Sequence, residues 1–136
     1  MHARLILAAT AVLLLWSCTP AGGTTLAGSE WRPLELGGQP VPGSAEMFVA
    51  FGGDGALRGN GGCNGFFGTY EASNAALAIG ALGATKMICE ADVMAGEDAL
   101  LDILARTAAY ERDGTSLVLR DGDGAVIARL AQTDAD

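Results

Sequence analysis

The chain has 136 residues, with 8 Lys and Arg against 16 Asp and Glu, and a formal charge of -8. That length suits one compact domain, and a hydrophobic content of 50% is enough for a core, which excludes wholesale disorder. The acidic balance argues against a nucleic-acid partner, and the one histidine, His2, lies in a segment expected to be removed, so no Ser-His-Asp or Cys-His set and no His-ligated zinc site is expected.

At the N-terminus, Arg4 precedes an apolar run from Leu5 to Trp16. The run is about 12 residues, too short for a hydrocarbon core that needs about 20. This is the shape of a secretory signal. Leu15-Trp16-Ser17-Cys18 resembles a bacterial lipobox, in which the cysteine is lipidated and becomes the new N-terminus. Residues 1–17 are therefore expected to be a lipoprotein signal peptide. Residues 18–28, rich in Thr, Gly and Ala, are expected to be a lipidated tether. An ordinary signal peptide with an incidental cysteine is the competing reading. By analogy with proteobacterial sorting, Thr19 after the cysteine points to the outer membrane, facing the periplasm. Two or more acyl chains make a stable anchor. The acidic domain is repelled by anionic headgroups, so membrane contact is expected through the lipid on Cys18.

With Cys18 lipidated, Cys63 and Cys89 remain as an even pair. An oxidising periplasm permits a disulfide between them. It would close a loop of about 26 residues and stabilise by about 3–4 kcal/mol. Free thiols, inert or reactive, are the alternative, with no mature histidine to activate one and only Lys86 nearby. Two isolated cysteines supply half a zinc shell, so no metal is expected.

Along the mature chain, Glu30–Leu36 reads as a strand, with Pro33 suggesting an edge. Gly37-Gly38-Gln39-Pro40 reads as a turn. Met47–Phe51 and Ala56–Gly59 form a hairpin about Gly52-Gly53-Asp54-Gly55. Phe66–Glu71 and Ala76–Ile79 are further strands. From Asp92 to Ala108, the residues Met94, Leu100, Leu101, Leu104 and Ala108 recur at helical intervals, with Asp92 as N-cap and Gly96 as a weak point. Ala109–Arg112, Ser116–Arg120 and Ala125–Ala131 close the chain as short strands, and Gln132–Asp136 should fray. The sum is an α+β domain with antiparallel pairing and one helix as lid.

The segment Gly59-Asn60-Gly61-Gly62-Cys63-Asn64-Gly65-Phe66-Phe67-Gly68-Thr69-Tyr70 resembles the glycine–cysteine–asparagine signature of META domains, also called HslJ-like. Trp31 and Leu34 resemble that family's opening strand, and Phe51 its aromatic before the hairpin. Thr85-Lys86-Met87-Ile88-Cys89 resembles its second cysteine stretch, and Met94, Glu97, Leu100 and Leu104 its helix. Leu117–Leu119 and Gly124 fit its closing hairpin. The resemblance spans about residues 28–131, so 29–132 is expected to be the META domain and 133–136 a disordered tail. It implies an antiparallel sheet forming an open or cracked barrel packed on one helix. It implies structural roles for Trp31, Gly62, Cys63, Asn64, Gly68, Tyr70, Thr85, Met87, Cys89 and Glu97. It also implies an envelope location, heat-shock induction, novobiocin resistance and a shape like that of lipid-binding pilot proteins, with no enzymatic activity and no cofactor.

Several residues have a sharper and a blander reading. The Gly59–Gly62 stretch could cradle a phosphate, but aromatic strand residues follow it rather than a helix, so a bent strand is expected. Asn64 is expected to bond nearby backbone in that bend, where it tolerates a left-handed conformation. Asp121 and Asp123 suit a hairpin turn better than calcium. Glu97, Asp98 and Asp102 suit a solvated helix face, with Glu97 placed to accept a bond from Thr85 or Lys86. Trp31, Phe48, Phe51, Phe66 and Phe67 suit a core, with a lipid groove as the alternative. Two functions follow: a non-enzymatic, monomeric envelope module acting on an unknown envelope protein or component, or a carrier of a lipid or other hydrophobic ligand.

Overall fold

A computed structural model of the chain describes residues 25–41 and 46–133. The signal segment, Cys18 and the final residues 134–136 lie outside the described residues. Ten strands and one helix follow in chain order: β1 (Ser29–Leu36), β2 (Gln39–Pro40), β3 (Phe48–Phe51), β4 (Ala56–Asn60), β5 (Gly65–Ser73), β6 (Ala76–Ile79), β7 (Gly83–Ala84), α1 (Ala91–Arg106), β8 (Ala109–Asp113), β9 (Ser116–Arg120) and β10 (Val126–Gln132). Period-two burial identifies the inward face. Trp31 and Pro33 in β1, Leu57 and Gly59 in β4, and Leu117 and Leu119 in β9 point in, while their neighbours face out or lie half-buried.

The strands pair antiparallel in the order β1-β3-β4-β5-β6-β8-β9-β10, and β10 returns to β1. The sheet is therefore a closed eight-stranded barrel, which corrects the expectation of an open or cracked one. The β1–β10 seam runs from Trp31 opposite Gln132 to Leu36 opposite Ala128. The thinnest seam, β6 against β8, has Ala76 opposite Ala109. Two further bonds bracket it, with Leu77 N–H donating to the Ala108 carbonyl and Tyr110 N–H to that of Ala75. Closure is favoured because it leaves no long row of unpaired backbone groups.

Pro33 marks no edge, since β1 is paired on both sides. It is tolerated because β1 changes partner there: Ser29–Trp31 lie against β3, Glu35 and Leu36 against β2. The register with β10 also shifts between Pro33 and Glu35. Gln39 and Pro40, expected in a turn, form β2. The helix ends at Arg106, short of Ala108, because the Thr107 hydroxyl donates to the Ile103 carbonyl (2.8 Å) as the chain turns into β8. Its N-cap is Glu90, without a side-chain bond, rather than Asp92. Ile103, not Ala108, completes the buried face beside Leu100 and Leu104.

Eight strands enclose a space that side chains just fill. Trp31, Val49, Phe51, Leu57, Phe66, Leu77, Leu117, Leu119 and Leu130 fill it here. Among the five aromatics weighed above, Trp31, Phe51 and Phe66 are thus core, Phe48 is half-buried beside the Arg58 guanidinium, and Phe67 is exposed. The Tyr70 ring meets Phe51 edge-on at 5.0 Å, and its hydroxyl donates to the Gly52 carbonyl. Burial, then the nearby Asp54 carboxylate, raise its phenol above the ordinary tyrosine pKa.

Both chain ends of the domain are tied down. Leu26 is buried, and Gly28 N–H donates to the Phe51 carbonyl (2.7 Å), so the tether does not extend to residue 28. Arg112 lies over the Trp31 ring (4.9 Å to its centroid) and donates to the Thr25 carbonyl and to Gln132 Oε1. Thr133 N–H donates to the Glu30 carbonyl (3.0 Å) and Gln132 N–H to that of Thr115. The expected fraying therefore does not hold at Gln132 and Thr133, because β1 and Arg112 supply partners that local sequence does not reveal. Leu26→Ala is expected to cost about 2–5 kcal/mol in denaturant unfolding. A change within about 0.5 kcal/mol, as at unconstrained surface sites, would show that Leu26 adds little to the core.

Candidate functional site

β4 and β5 pair as far as Asn60 opposite Gly65, and residues 61–64 make the bend between them. Gly61 N–H donates to the Asn64 carbonyl (3.0 Å), and Gly62 N–H to Asn60 Oδ1 (2.7 Å). Gly62 sits at φ +109, a conformation that suits glycine. At Gly61 the requirement is space: a Cβ there would stand 2.4 Å from Glu97 Cγ. The bend can therefore press directly on the helix.

The close approach places Asn64, 3% exposed, beside Glu97, 4% exposed. Asn64 backbone N–H donates to Glu97 Oε1 (2.5 Å) and its Nδ2 to Glu97 Oε2 (2.8 Å). Nδ2 also donates to the Met87 carbonyl (3.1 Å). Oδ1 accepts from the Thr85 hydroxyl (2.8 Å) and from Met87 N–H (2.7 Å). The side-chain amide thus uses both donors and both acceptor sites. Beside it the disulfide Cys63–Cys89 joins the bend to the strap after β7, with Cα atoms 6.0 Å apart. Thr85 N–H, bonded to the Gly65 carbonyl (3.1 Å), holds the other end of that strap.

Seven of the residues singled out in the sequence meet in this knot: Gly62, Cys63, Asn64, Thr85, Met87, Cys89 and Glu97. Trp31 and Tyr70 lie apart, in the barrel interior. Gly68 lies on β5 where its missing Cβ leaves room for Leu82 Cδ2, 2.8 Å from the ideal position. Two expectations change. Glu97 bonds Asn64 rather than Thr85 or Lys86, and it is buried, while Asp98 and Asp102 remain on the exposed face. The Asn64 side chain reaches across 33 residues to the helix, its own turn being bonded only through its backbone carbonyl, and the residue is not left-handed. Asp121 caps a turn, accepting from the Asp123 and Ala125 amides. Sequence reasoning missed Arg112, which carries no local motif.

Among the described residues no group of His, Cys, Asp or Glu could hold a metal ion, and every buried side-chain nitrogen and oxygen has a partner. The knot's polar groups bond one another, which suits them to fastening the bend, strap and helix together. A surface depression of about 630 Å³ lies at the other end of the barrel, lined by Leu26, Tyr70, Ala72 and Tyr110 among others.

The sequence profile of the META domain matches residues 24–134. The chain belongs to the META family. Its META fold is similar to an NMR structure of a protein from Burkholderia xenovorans, at 19% identity and a TM-score of 0.67, covering 81% of this chain and 85% of that one. It is also similar to a crystal structure of a DUF4847 family protein from Bacteroides vulgatus ATCC 8482, at 17% identity and a TM-score of 0.59, covering 82% and 96%. At these identities the likeness is one of fold. No curated protein matches the chain.

Gly61→Ala in this META domain is expected to cost about 1–3 kcal/mol by overpacking against Glu97, read as a shift of the urea midpoint. An unchanged midpoint would mean that the helix can move away from the bend freely.

Proposed function

We propose that this META domain is a non-catalytic module of the bacterial envelope, anchored by lipid at Cys18, that supports envelope integrity under stress or novobiocin-type challenge by binding another envelope protein or component. The observation that carries the non-catalytic part is the Asn64–Glu97 pair. The buried carboxylate is held through both oxygens by Asn64, whose amide is fully engaged, an arrangement that supports a fastening role for the pair. The anchoring part rests on Leu15-Trp16-Ser17-Cys18 and the apolar run before it. Six residues, 19–24, lie between Cys18 and Thr25 in the sequence.

The second reading, a carrier of a hydrophobic ligand, draws support from the depression lined by Leu26, Tyr70 and Tyr110. The filled barrel interior counts against an acyl chain inside it. Intact-mass measurement of chain extracted from membranes is expected to show a diacyl- or triacyl-modified Cys18 as first residue. Cells producing Cys18→Ala in place of the wild-type chain are expected to lose novobiocin tolerance. An unacylated mature chain would remove the anchor, and turnover of a substrate that depends on a named side chain would remove the non-catalytic reading.

A further inference from the structure

The depression of about 630 Å³ at the barrel mouth, away from the knot, is lined by Leu26 and the rings of Tyr70 and Tyr110. Its volume and its place in a barrel mouth are those of small-molecule sites. Three further lining features are polar: the Tyr110 hydroxyl on β8, Thr25 where the chain enters, and Asn74 in the turn between β5 and β6.

Tyr110 is only 8% exposed, yet its hydroxyl meets no hydrogen-bond partner among the described residues. Every buried side-chain oxygen there does have one, so the Tyr110 oxygen is the part of the residue that emerges, and the depression is the surface that Tyr110 lines. The Tyr70 hydroxyl, by contrast, is committed to the Gly52 carbonyl. The side chains of Thr25 and Asn74, both exposed, have no partner among the described residues either.

These groups select the occupant. A molecule that fills the mouth strips water from the Tyr110 hydroxyl. A polar group covered without a partner is costly, so the occupant has to supply one, which an acyl chain cannot do. None of the described residues that line the mouth is charged, so an ion of either sign would lose hydration without meeting a counter-charge. Asp54 neighbours Tyr70 but does not line the mouth. Arg112, two residues on from Tyr110, spends its Nε, Nη1 and Nη2 on the Gly114 carbonyl, the Thr25 carbonyl and Gln132. What remains is a neutral molecule with apolar faces for Leu26 and the tyrosine rings, and with groups around its perimeter that both donate and accept, as Tyr110, Thr25 and Asn74 do. A pyranose ring has that distribution, with C–H faces and a rim of hydroxyls. We propose that the barrel mouth binds a neutral sugar residue, with a ring hydroxyl bonded to the Tyr110 hydroxyl and with Thr25 and Asn74 at its rim. This site stands whether or not Cys18 is acylated.

The test is saturation-transfer NMR on the chain as extracted from membranes in a sugar-free detergent, with glucose, N-acetylglucosamine, glucose 6-phosphate and N-acetylalaninamide as probes. The expected result is transfer to the C–H protons of the two neutral sugars at about 10 mM, which fills most of a millimolar site, and little to the phosphate or the amide. Tyr110→Phe is expected to weaken sugar binding about tenfold. It should leave the unfolding midpoint in place, because the hydroxyl it removes has no partner within the described residues. Asn74→Gly removes a rim amide and keeps a residue suited to φ 57. It is expected to weaken binding as well, and it carries the test if Tyr110→Phe is unstable. No transfer to either neutral sugar overturns the site, as does transfer that both variants leave unchanged. Transfer to glucose 6-phosphate or to the amide as strong as to the sugars overturns it too. An acyl ligand that co-purifies in the mouth and that neither sugar displaces overturns it in favour of the hydrophobic carrier.

Discussion

One asparagine side chain holds together three pieces of this protein that are distant in sequence. Asn64 bonds the bend between β4 and β5 to the strap through Thr85 and Met87, and to the helix through Glu97. The disulfide between its neighbour Cys63 and Cys89 limits how far the strap can move, but a single covalent link leaves rotation and register open. The directional bonds of the amide remove that freedom. They act in a buried setting, where hydrogen bonds are electrostatically stronger and an unpaired group is correspondingly costly. Gly61, two residues before Cys63, matters for the same reason: a Cβ there would stand 2.4 Å from Glu97 Cγ, and the bend and the helix could not come close enough to bond.

The rest of the molecule is arranged about that knot. Closure of eight strands leaves no long edge, and the interior is filled by side chains rather than left as a cavity. Leu26 is buried in the core where the chain enters, and the helix packs on the β4–β5 bend through Glu97 and Val93. The one segment of exposed, large apolar side chains fixed in position, among the described residues, is the strap that the knot secures.

Local features were legible in the sequence. β6 and β9 fall on the residues that alternation and the flanking turns indicate, and Leu100 and Leu104 mark the buried helix face. Counting cysteines with Cys18 set aside made Cys63–Cys89 the expected pair, with free thiols as the alternative, and the bond is present. What was hidden is long-range. Nothing near Ala76 indicates that it meets Ala109, and closure depends on that seam. β2 and β7 are two residues each, too short for any periodicity. Glu97 reads as one more acidic residue on a helix until the fold brings Asn64 to it from 33 positions away. Arg112 reads as an ordinary strand residue until its guanidinium lies on Trp31.

The central claim is energetic coupling between Asn64 and Glu97. A double-mutant cycle measures it directly: unfolding free energies of the wild-type chain, Asn64→Ala, Glu97→Ala and the double variant. The account predicts that each single change is strongly destabilising while the second adds little, giving a coupling on the order of 1–3 kcal/mol. Additive losses, with coupling indistinguishable from zero, would contradict it.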